Sequence, residues 1–315
     1  MKTYPYQATL VRRILAIVLI ALLALPLSAA YAEKEQAKLP AVGEIIEGFE
    51  VKSVAGSVKA GAVTLEHKKT GAQVLYMANE DPNRVFDISF RTPAKDDTGL
   101  PHVFEHATLG GSEKYPSKSL MFNLAYQTYN TFMNAMTFDV MTTYPVASLS
   151  EVQLLRYADF YTDSVLHPLV LTDKSIFDSE AWRYALAKPD GELTITGNVY
   201  SEMLGSHNLQ SAAQLNAYKT LFPGSAIANS FGGVPEKIPD LKWDDLKEYH
   251  KQYYHPSNSL TSLYGDFEDY KAFLKLLDQY FSGYEKKAFD WDDENYAPIS
   301  AAQTATFEYG VEAGS

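Results

Sequence analysis

The sequence predicts an α+β fold in which an antiparallel or mixed sheet packs against helices on one side. Strand-type alternation is concentrated between residues 48 and 90, and helical periodicity dominates after residue 150. The sequence has no internal repeat and no strict alternation of strands with helices. These observations favour an α+β domain over a parallel β-α-β architecture.

The predicted strands come first along the chain. The segments GFEVKSV, AVTLEH, AQVLYM and RVFDISF are rich in β-branched and aromatic residues, and the turn KKTG separates the second from the third. In RVFDISF, Phe86, Ile88 and Phe90 alternate with Val85 and Asp87. A period of two places one face of a strand in a core. We therefore predict an antiparallel sheet with one buried face.

A short helix is predicted next, over LPHVFEHAT. Asp97 or Thr98 is positioned to cap it, and Pro101 suits its first turn. The pair Gly110-Gly111 is positioned to end it. A further helix over residues 117–128 and a hairpin between NTFMNAM and MTTYPVAS follow.

Longer helices are predicted from residue 150 onward. Ser150 is the expected cap of the first, in which Leu154, Tyr157, Ala158 and Tyr161 share one face. Other helices are predicted over SIFDSEAWRYAL, from about Asn198, over WDDLKEYHKQYY and over DYKAFLKLLDQYF, with strand-like LTIT and SLTSLYG between them.

Both ends of the chain are predicted to lie outside the main domain. Residues 1–32 combine basic residues, an apolar run and an Ala30-x-Ala32 pattern, which indicate a secretory signal peptide. The alternative is an uncleaved membrane anchor, although the run is shorter than the roughly 20 residues of a span. We expect a secreted or periplasmic protein with no stable membrane anchor after cleavage. Residues 33–43 are then an extension, 44–285 the main domain, and 286–315 a linker with the start of a truncated second domain.

Charge and cysteine content narrow the function. Removal of Lys2, Arg12 and Arg13 with the signal leaves 24 basic and 39 acidic residues, a net charge of −15. Such an acidic chain is not expected to bind nucleic acid. The chain has no cysteine, which excludes disulfides, thiolate metal sites and a cysteine nucleophile.

The stretch LPHVFEHATLGG carries the clearest chemical signal. His102 and His106 are four residues apart and share one side of a helix, so both imidazoles can bind one metal ion. Glu105 lies beside them and is free to remove a proton from water, which suits a hydrolytic zinc site. The alternative is a pair of structural histidines, because this spacing also arises by chance.

A hydrolytic zinc site needs a third protein ligand. Spacing alone leaves Glu180, Glu192, Glu202 and His207 as candidates. The sequence contains no phosphate-binding glycine loop, serine elbow or heme signature, so hydrolysis at a metal is the chemistry that the residues favour.

The spacing His-x-x-Glu-His is typical of the inverted zinc proteases. Over residues 44–285 the chain resembles the insulinase (pitrilysin) family of metallopeptidases, and within it the presequence protease branch. The resemblance rests on five blocks in the family's order: GLPHVFEHATLGGSEKYP, TFMNAMTFDVMTTYPVAS, SEAWRYAL, GNVYSEMLG and IPDLKWDDLKEYHKQYYHPSNSLTSLYGD. It implies the N-terminal catalytic domain of a zinc endopeptidase that cleaves short or unfolded peptides, with Glu105 as general base.

The resemblance also implies individual site residues. Glu202, in GNVYSEMLG, matches the family's third ligand, so one zinc ion (Zn2+) per chain is expected on His102, His106 and Glu202. Asn134 and Ala135, followed by Thr137, match an edge segment that binds extended peptides by strand addition. A plain hairpin turn is the alternative for that segment.

The chain departs from the family in length. Its members are usually much longer, with several related α+β domains that close over a peptide, and their oxyanion-stabilising residues come from the far half. Two alternatives therefore remain beside a self-sufficient peptidase. In the first, the chain is one half of a two-chain or truncated peptidase, and its partner is a second half-chain. In the second, it is a zinc- and peptide-binding module without activity of its own.

Overall fold

A mixed β-sheet with helices packed on one face organises the protein. The computed structural model describes residues 39–118, 120–289 and 301–307, and the described residues from Pro40 onward belong to one compact unit. The predicted signal peptide and parts of the predicted extension and linker lie outside the described residues. The domain boundaries proposed for those regions therefore stay predictions.

The main sheet has the strand order β1-β2-β3-β4-β11-β5-β8-β6, and β7 also pairs with β8. Two further strands, β9 and β10, form a separate antiparallel hairpin. The strand bounds are β1 Ile45–Ile46, β2 Phe49–Ser57, β3 Ala60–His67, β4 Gln73–Asn79, β5 Arg84–Arg91, β6 Phe132–Met133, β7 Met136–Thr137, β8 Met141–Ser148, β9 Arg183–Leu186, β10 Leu193–Thr196 and β11 Ser259–Gly265.

The strand β11 makes the sheet mixed. Leu263 of β11 lies opposite Tyr76 of β4 in a parallel pair and opposite Phe86 of β5 in an antiparallel pair. The expectation that the first strands form a purely antiparallel sheet was wrong at this point, because β4 and β5 are separated by a strand from much later in the chain. The α+β class with a mixed sheet is confirmed.

The helices of the described residues all follow β5 along the chain. They are α1 Leu100–Thr108, α2 Leu120–Gln127, α3 Glu151–Leu166, α4 Lys174–Glu180, α5 Asn198–Ser206, α6 Leu209–Leu221, α7 Trp243–Tyr253 and α8 Tyr270–Phe281. Short 3-10 turns cover Leu169–Leu171, Ala226–Ala228, Ile238–Asp240 and Pro256–Asn258. In the part of the chain that the structure describes, no helix is long and apolar enough to span a membrane.

One face of the sheet is buried beneath these helices, as predicted. Phe86 is fully buried and its ring stacks on Phe273 of α8 with centroids 6.3 Å apart. Phe90 is also buried, 4.7 Å from the ring of Tyr254 just after α7. Asp87, on the alternate face of β5, is only partly buried. This period of two is what the sequence of β5 predicts.

The helix predicted over SIFDSEAWRYAL is correct only in its first half. The helix α4 ends at Glu180, and Arg183–Leu186 forms β9, which pairs with the predicted strand LTIT, now β10. The turn KPDGE between them brings the two segments together as a hairpin, and cross-strand pairing prevails over local helical spacing. The helix α6 was not predicted.

The predicted cap of α1 was wrong. Gly99, with φ of 72°, occupies the cap position, and no side chain there accepts a hydrogen bond from the helix. The carboxylate of Asp97 instead accepts a hydrogen bond from the Ser230 N–H at 2.8 Å. Pro101 lies in the first turn, as expected. The cap predicted at Ser150 is present, since its hydroxyl accepts a hydrogen bond from the Gln153 N–H.

The C-terminal segment is described only in part. Residues 301–307 contain no regular secondary structure. Residues 308–315, the rest of the predicted start of a second domain, lie outside the described residues.

Candidate metal centre

The helix α1 has one face in the core and one face on a cavity, and both histidines lie on the cavity face. Val103, Phe104 and Ala107 are fully buried, and the ring of Phe104 lies 4.5 Å from that of Tyr254. The opposite face carries His102 and His106, whose ring centroids are 4.8 Å apart with the ring planes almost perpendicular, at 89°. The amphipathic pattern of this short segment therefore fixes which way the imidazoles point.

The helix α5 brings Glu202 to the two histidines. Its Oε2 atom lies 3.9 Å from His102 Nε2 and 3.6 Å from His106 Nε2. Among the described residues, the group that could hold a metal ion is His102, His106 and Glu202, whose ligand atoms all lie within 4.8 Å of one another. Of the four candidates that the sequence left open, Glu202 alone belongs to this group.

Each imidazole has its second nitrogen directed at its own acceptor. His102 Nδ1 lies 3.4 Å from the carbonyl oxygen of Gly232. His106 Nδ1 lies 3.5 Å from Oε2 of Glu180, and that same oxygen accepts a hydrogen bond from the Asn198 amide at 2.7 Å. Both Nε2 atoms thus face Glu202. Acceptors at the distal nitrogen are the arrangement found around metal-bound histidines, so the residues present fit a zinc ion.

The two histidines differ in their proton affinity. Burial, followed by the charge of His106, lowers the pKa of His102. Burial also lowers the pKa of His106, but the hydrogen bond to Glu180 and the nearby carboxylates outweigh it, so the net shift is upward. A neutral imidazole is the form that binds a metal. His102 is therefore the histidine that is ready to bind without losing a proton near neutral pH.

Glu105 lies beside the metal-binding group without belonging to it. The residue is only 7% exposed, and its Oε2 accepts a hydrogen bond from the Thr137 hydroxyl at 3.0 Å. Burial raises the pKa of Glu105, although the charge of His106 and the Thr137 hydroxyl act in the opposite direction. A carboxylate with a raised pKa, held in one position, is suited to accept a proton.

A cavity of about 630 Å³ joins these groups to the predicted peptide-binding segment. Asn134 and Ala135 line it together with the metal-binding group and Glu105. They connect β6 to β7 at the edge of the main sheet. The Asn134 N–H donates to the Pro145 carbonyl and its carbonyl accepts from the Tyr161 hydroxyl. Peptide binding at this edge stays a prediction.

Several contacts were not predicted from the sequence. No role was predicted for Gly232 or Asn198, and the hydrogen bond from Thr137 to Glu105 was not predicted either. The pair Gly232-Gly233 lies in a loop whose backbone approaches Gly99 at the start of α1. Its glycines were the one local signal of a close backbone approach. Glu192 is exposed and lies outside the metal-binding group.

Comparison with known proteins relates the chain to peptidases. Residues 240–310 match the family description "Peptidase M16 inactive domain". The chain is 36% identical to the Clostridium perfringens protein HypA over 85% of this chain and 28% of that protein. It is 39% identical to presequence protease 1 (chloroplastic/mitochondrial) of Arabidopsis thaliana over 72% of this chain and 21% of that protein. The mitochondrial presequence protease of Saccharomyces cerevisiae is 35% identical over 83% of this chain and 26% of that protein.

The fold is also similar to solved peptidase structures. The crystal structure of pitrilysin superposes with a TM-score of 0.56 at 18% identity, over 76% of this chain and 25% of that chain. A protease from Helicobacter pylori gives a TM-score of 0.55 at 15% identity, over 73% of this chain and 52% of that chain. The chain spans about a quarter of the length of the curated relatives it matches. On these matches, the chain belongs to the insulinase (pitrilysin) family of peptidases, in its presequence protease branch.

Proposed function

We infer that the chain is the catalytic domain of a zinc-dependent endopeptidase that cleaves short or unfolded peptides. One observation carries this inference. One ligand atom each of His102, His106 and Glu202 lies within 4.8 Å of the other two, and the buried Glu105 lines the same cavity. Two imidazoles, one carboxylate and a nearby unliganded carboxylate are the donor set of a hydrolytic zinc site.

The chain's own residues divide the chemistry between them. When bound, zinc supplies Lewis-acid chemistry, acidifying water and polarising a peptide carbonyl. Glu105 accepts the proton of the attacking water and later passes it to the leaving amine. The Thr137 hydroxyl, 3.0 Å from Glu105, holds that carboxylate in place. Ala135, beside the metal-binding group at the sheet edge, is positioned to pair with an extended peptide through backbone hydrogen bonds.

A second candidate is a domain that is inactive alone, either half of a two-chain or truncated peptidase or a zinc- and peptide-binding module. The length of the matched relatives favours it, because they extend well beyond the region that they share with this chain. In this case a second half-chain is the partner, and it supplies the oxyanion-stabilising groups. Cleavage would then appear only when the two chains are mixed.

Export from the cytoplasm is also a proposal. It is supported by the basic and apolar segments and the Ala30-x-Ala32 pattern in residues 1–32. The presequence proteases cited above carry organellar names, so the relatives give export no support. N-terminal sequencing of the protein from bacterial periplasmic and cytoplasmic fractions tests it. A mature chain beginning at Glu33 is expected, and an intact Met1 in the cytoplasm contradicts export.

The test of function combines metal content with peptide cleavage. The purified chain, Glu105→Gln and the matched control Glu192→Gln are analysed for metal by mass spectrometry and for cleavage of a quenched fluorescent peptide, with and without a chelator. We expect one zinc per chain in all three, and chelator-sensitive cleavage that only Glu105→Gln loses. If all three proteins bind zinc and none of them cleaves the peptide, the second candidate is favoured. Absence of zinc from the wild-type chain refutes the metal centre.

A further inference from the structure

The residue Asp97, just before α1, joins two distant parts of the chain. Its Oδ1 accepts the Ser230 N–H at 2.8 Å and its Oδ2 pairs with the Lys219 ammonium at 2.5 Å. Its own carbonyl accepts the Val234 N–H at 2.8 Å. The side chain and the main chain of Asp97 therefore hold both ends of the loop Ser230–Val234, and Lys219 of α6 fixes the carboxylate.

That loop approaches the start of α1 closely. A Cβ atom at Gly99 would lie 2.6 Å from the Gly232 carbonyl oxygen, and one at Gly232 would lie 2.8 Å from Cε of Met203. Gly232 thus fills the space between the start of α1 and the residue after Glu202. Gly99 has no room for a side chain because the backbone of Gly232 and Gly233 lies against it, so the backbones of loop and helix are in direct contact. A side chain at Gly232 would have to displace the end of Met203.

This contact determines where the Gly232 carbonyl lies relative to His102. The Gly232 carbonyl lies 3.4 Å from His102 Nδ1, whereas His106 has a carboxylate, Glu180, at the equivalent nitrogen. The orientation of the His106 ring is set by a charged side chain, while that of His102 depends on where the loop holds one neutral carbonyl. A weak acceptor can select one tautomer only if its position is fixed.

We propose that Asp97 is a positioning residue for the metal centre: by fixing the loop Ser230–Val234, it directs the Gly232 carbonyl at His102 Nδ1 and leaves Nε2 for the metal. The metal part of this inference rests on the proposed function. The cap position that the sequence offered to Asp97 is occupied by Gly99 instead, and the carboxylate is directed at Ser230 and Lys219.

The test reads the His102 tautomer directly. Long-range 1H–15N spectra of the metal-free 15N-labelled protein at about pH 7.5 distinguish the two neutral tautomers, and His102→Gln assigns the signal. We expect the Nδ1–H form in the wild-type protein and a mixture of tautomers in Asp97→Ala. His106 should be unchanged, because Glu180 still holds it. Zinc affinity, measured by competition with a chromophoric chelator, should fall about tenfold or more in Asp97→Ala.

Two variants serve as controls. Asp96→Ala removes the same charge one residue away, at an exposed carboxylate that accepts hydrogen bonds from Thr98, and should match the wild-type protein. Asp97→Asn keeps an oxygen for the Ser230 N–H but loses the ion pair with Lys219, so it should restore the tautomer in part. If Asp97→Ala does not fold, Asp97→Asn decides: a partial shift supports the proposal and an unchanged ring overturns it.

The outcomes separate this proposal from the proposed function. An Asp97→Ala protein with the wild-type His102 tautomer and wild-type zinc affinity overturns the role of Asp97. An equal effect in Asp96→Ala also overturns it, since a general loss of negative charge would then be the cause. If the wild-type chain binds no zinc, the proposed function fails, and the tautomer measurement still decides whether Asp97 positions His102.

Discussion

Replacing Glu180 with glutamine should weaken zinc binding although Glu180 is not a predicted ligand. Its Oε2 lies 3.5 Å from His106 Nδ1 and accepts the Asn198 amide at 2.7 Å. The side chain is 18% exposed, so its charge is only partly screened. Loss of a partner at the distal nitrogen of a ligating histidine typically costs about 10–100-fold in metal affinity, or roughly 1.4–2.7 kcal/mol.

Glutamine keeps the size of the side chain and one oxygen acceptor, so the effect of Glu180→Gln should lie near the lower limit, about tenfold. Glu180→Ala removes the acceptor altogether and should approach the upper limit. Zinc dissociation constants from competition with a chromophoric chelator measure both. Thermal unfolding of the metal-free proteins should change little, because the carboxylate faces the cavity and not the core.

Two further variants define what would refute this reasoning. Asn198→Ala removes a donor to Glu180 but leaves the carboxylate near His106, so it should weaken zinc binding only a few-fold. Glu192→Gln removes an exposed carboxylate outside the metal-binding group and should have no effect. If Glu180→Ala binds zinc as tightly as Glu192→Gln, the carboxylate does not support His106 and the argument from its geometry is wrong.

Three other predictions follow from single contacts. Thr137→Val removes the hydrogen bond to Glu105, which is worth about 1.5–3 kcal/mol to a charged acceptor, so kcat for a quenched peptide should fall at least tenfold with zinc content unchanged. Tyr161→Phe removes the hydroxyl that donates to the Asn134 carbonyl at 2.8 Å; it should raise KM a few-fold and leave kcat unchanged, whereas a change in kcat alone would contradict a docking role. Burial lowers the pKa of His250 to about 4, below its value of about 6.5 in the unfolded chain. The contribution of His250 to the free energy of unfolding should therefore be at its maximum above pH 6.5 and fall by up to about 3 kcal/mol towards pH 4. Denaturant titrations across that range should show a smaller decline in His250→Gln.

Local signals explain which parts of the fold could be predicted. The alternation in β5 and the Ser150 cap of α3 depend on residues close together in sequence, and both agree with the structure. The same holds for α1, where the apolar residues between the histidines form the buried face and the histidines lie on the opposite face. A hydrophobic pattern within one segment is enough to predict its secondary structure and its buried face when the segment packs against an apolar surface, whichever surface that is.

Long-range pairing explains what could not be predicted. The position of β11 between β4 and β5 depends on backbone hydrogen bonds to residues more than 150 positions earlier, and no local pattern carries that choice. The helix α6 was missed because its residues have no consistent apolar face, and none of them is buried. Its first turn is held by the reciprocal Asn208 and Ser211 hydrogen bonds. For Glu180, the sequence offered an acid but not which nitrogen it would face.

The match of residues 240–310 to an inactive peptidase domain concerns the scaffold and not the metal centre. The described part of this range contains α7, β11 and α8, and none of its residues belongs to the metal-binding group, which spans residues 102–202. Its contribution to the site is indirect: Tyr249 and Tyr254 pack on Phe104 and support the buried face of α1. A domain that shared this scaffold but lacked the histidines and Glu105 would match the same description and bind no metal. The proposed activity therefore depends on residues outside the matched segment, and Glu105→Gln tests it directly.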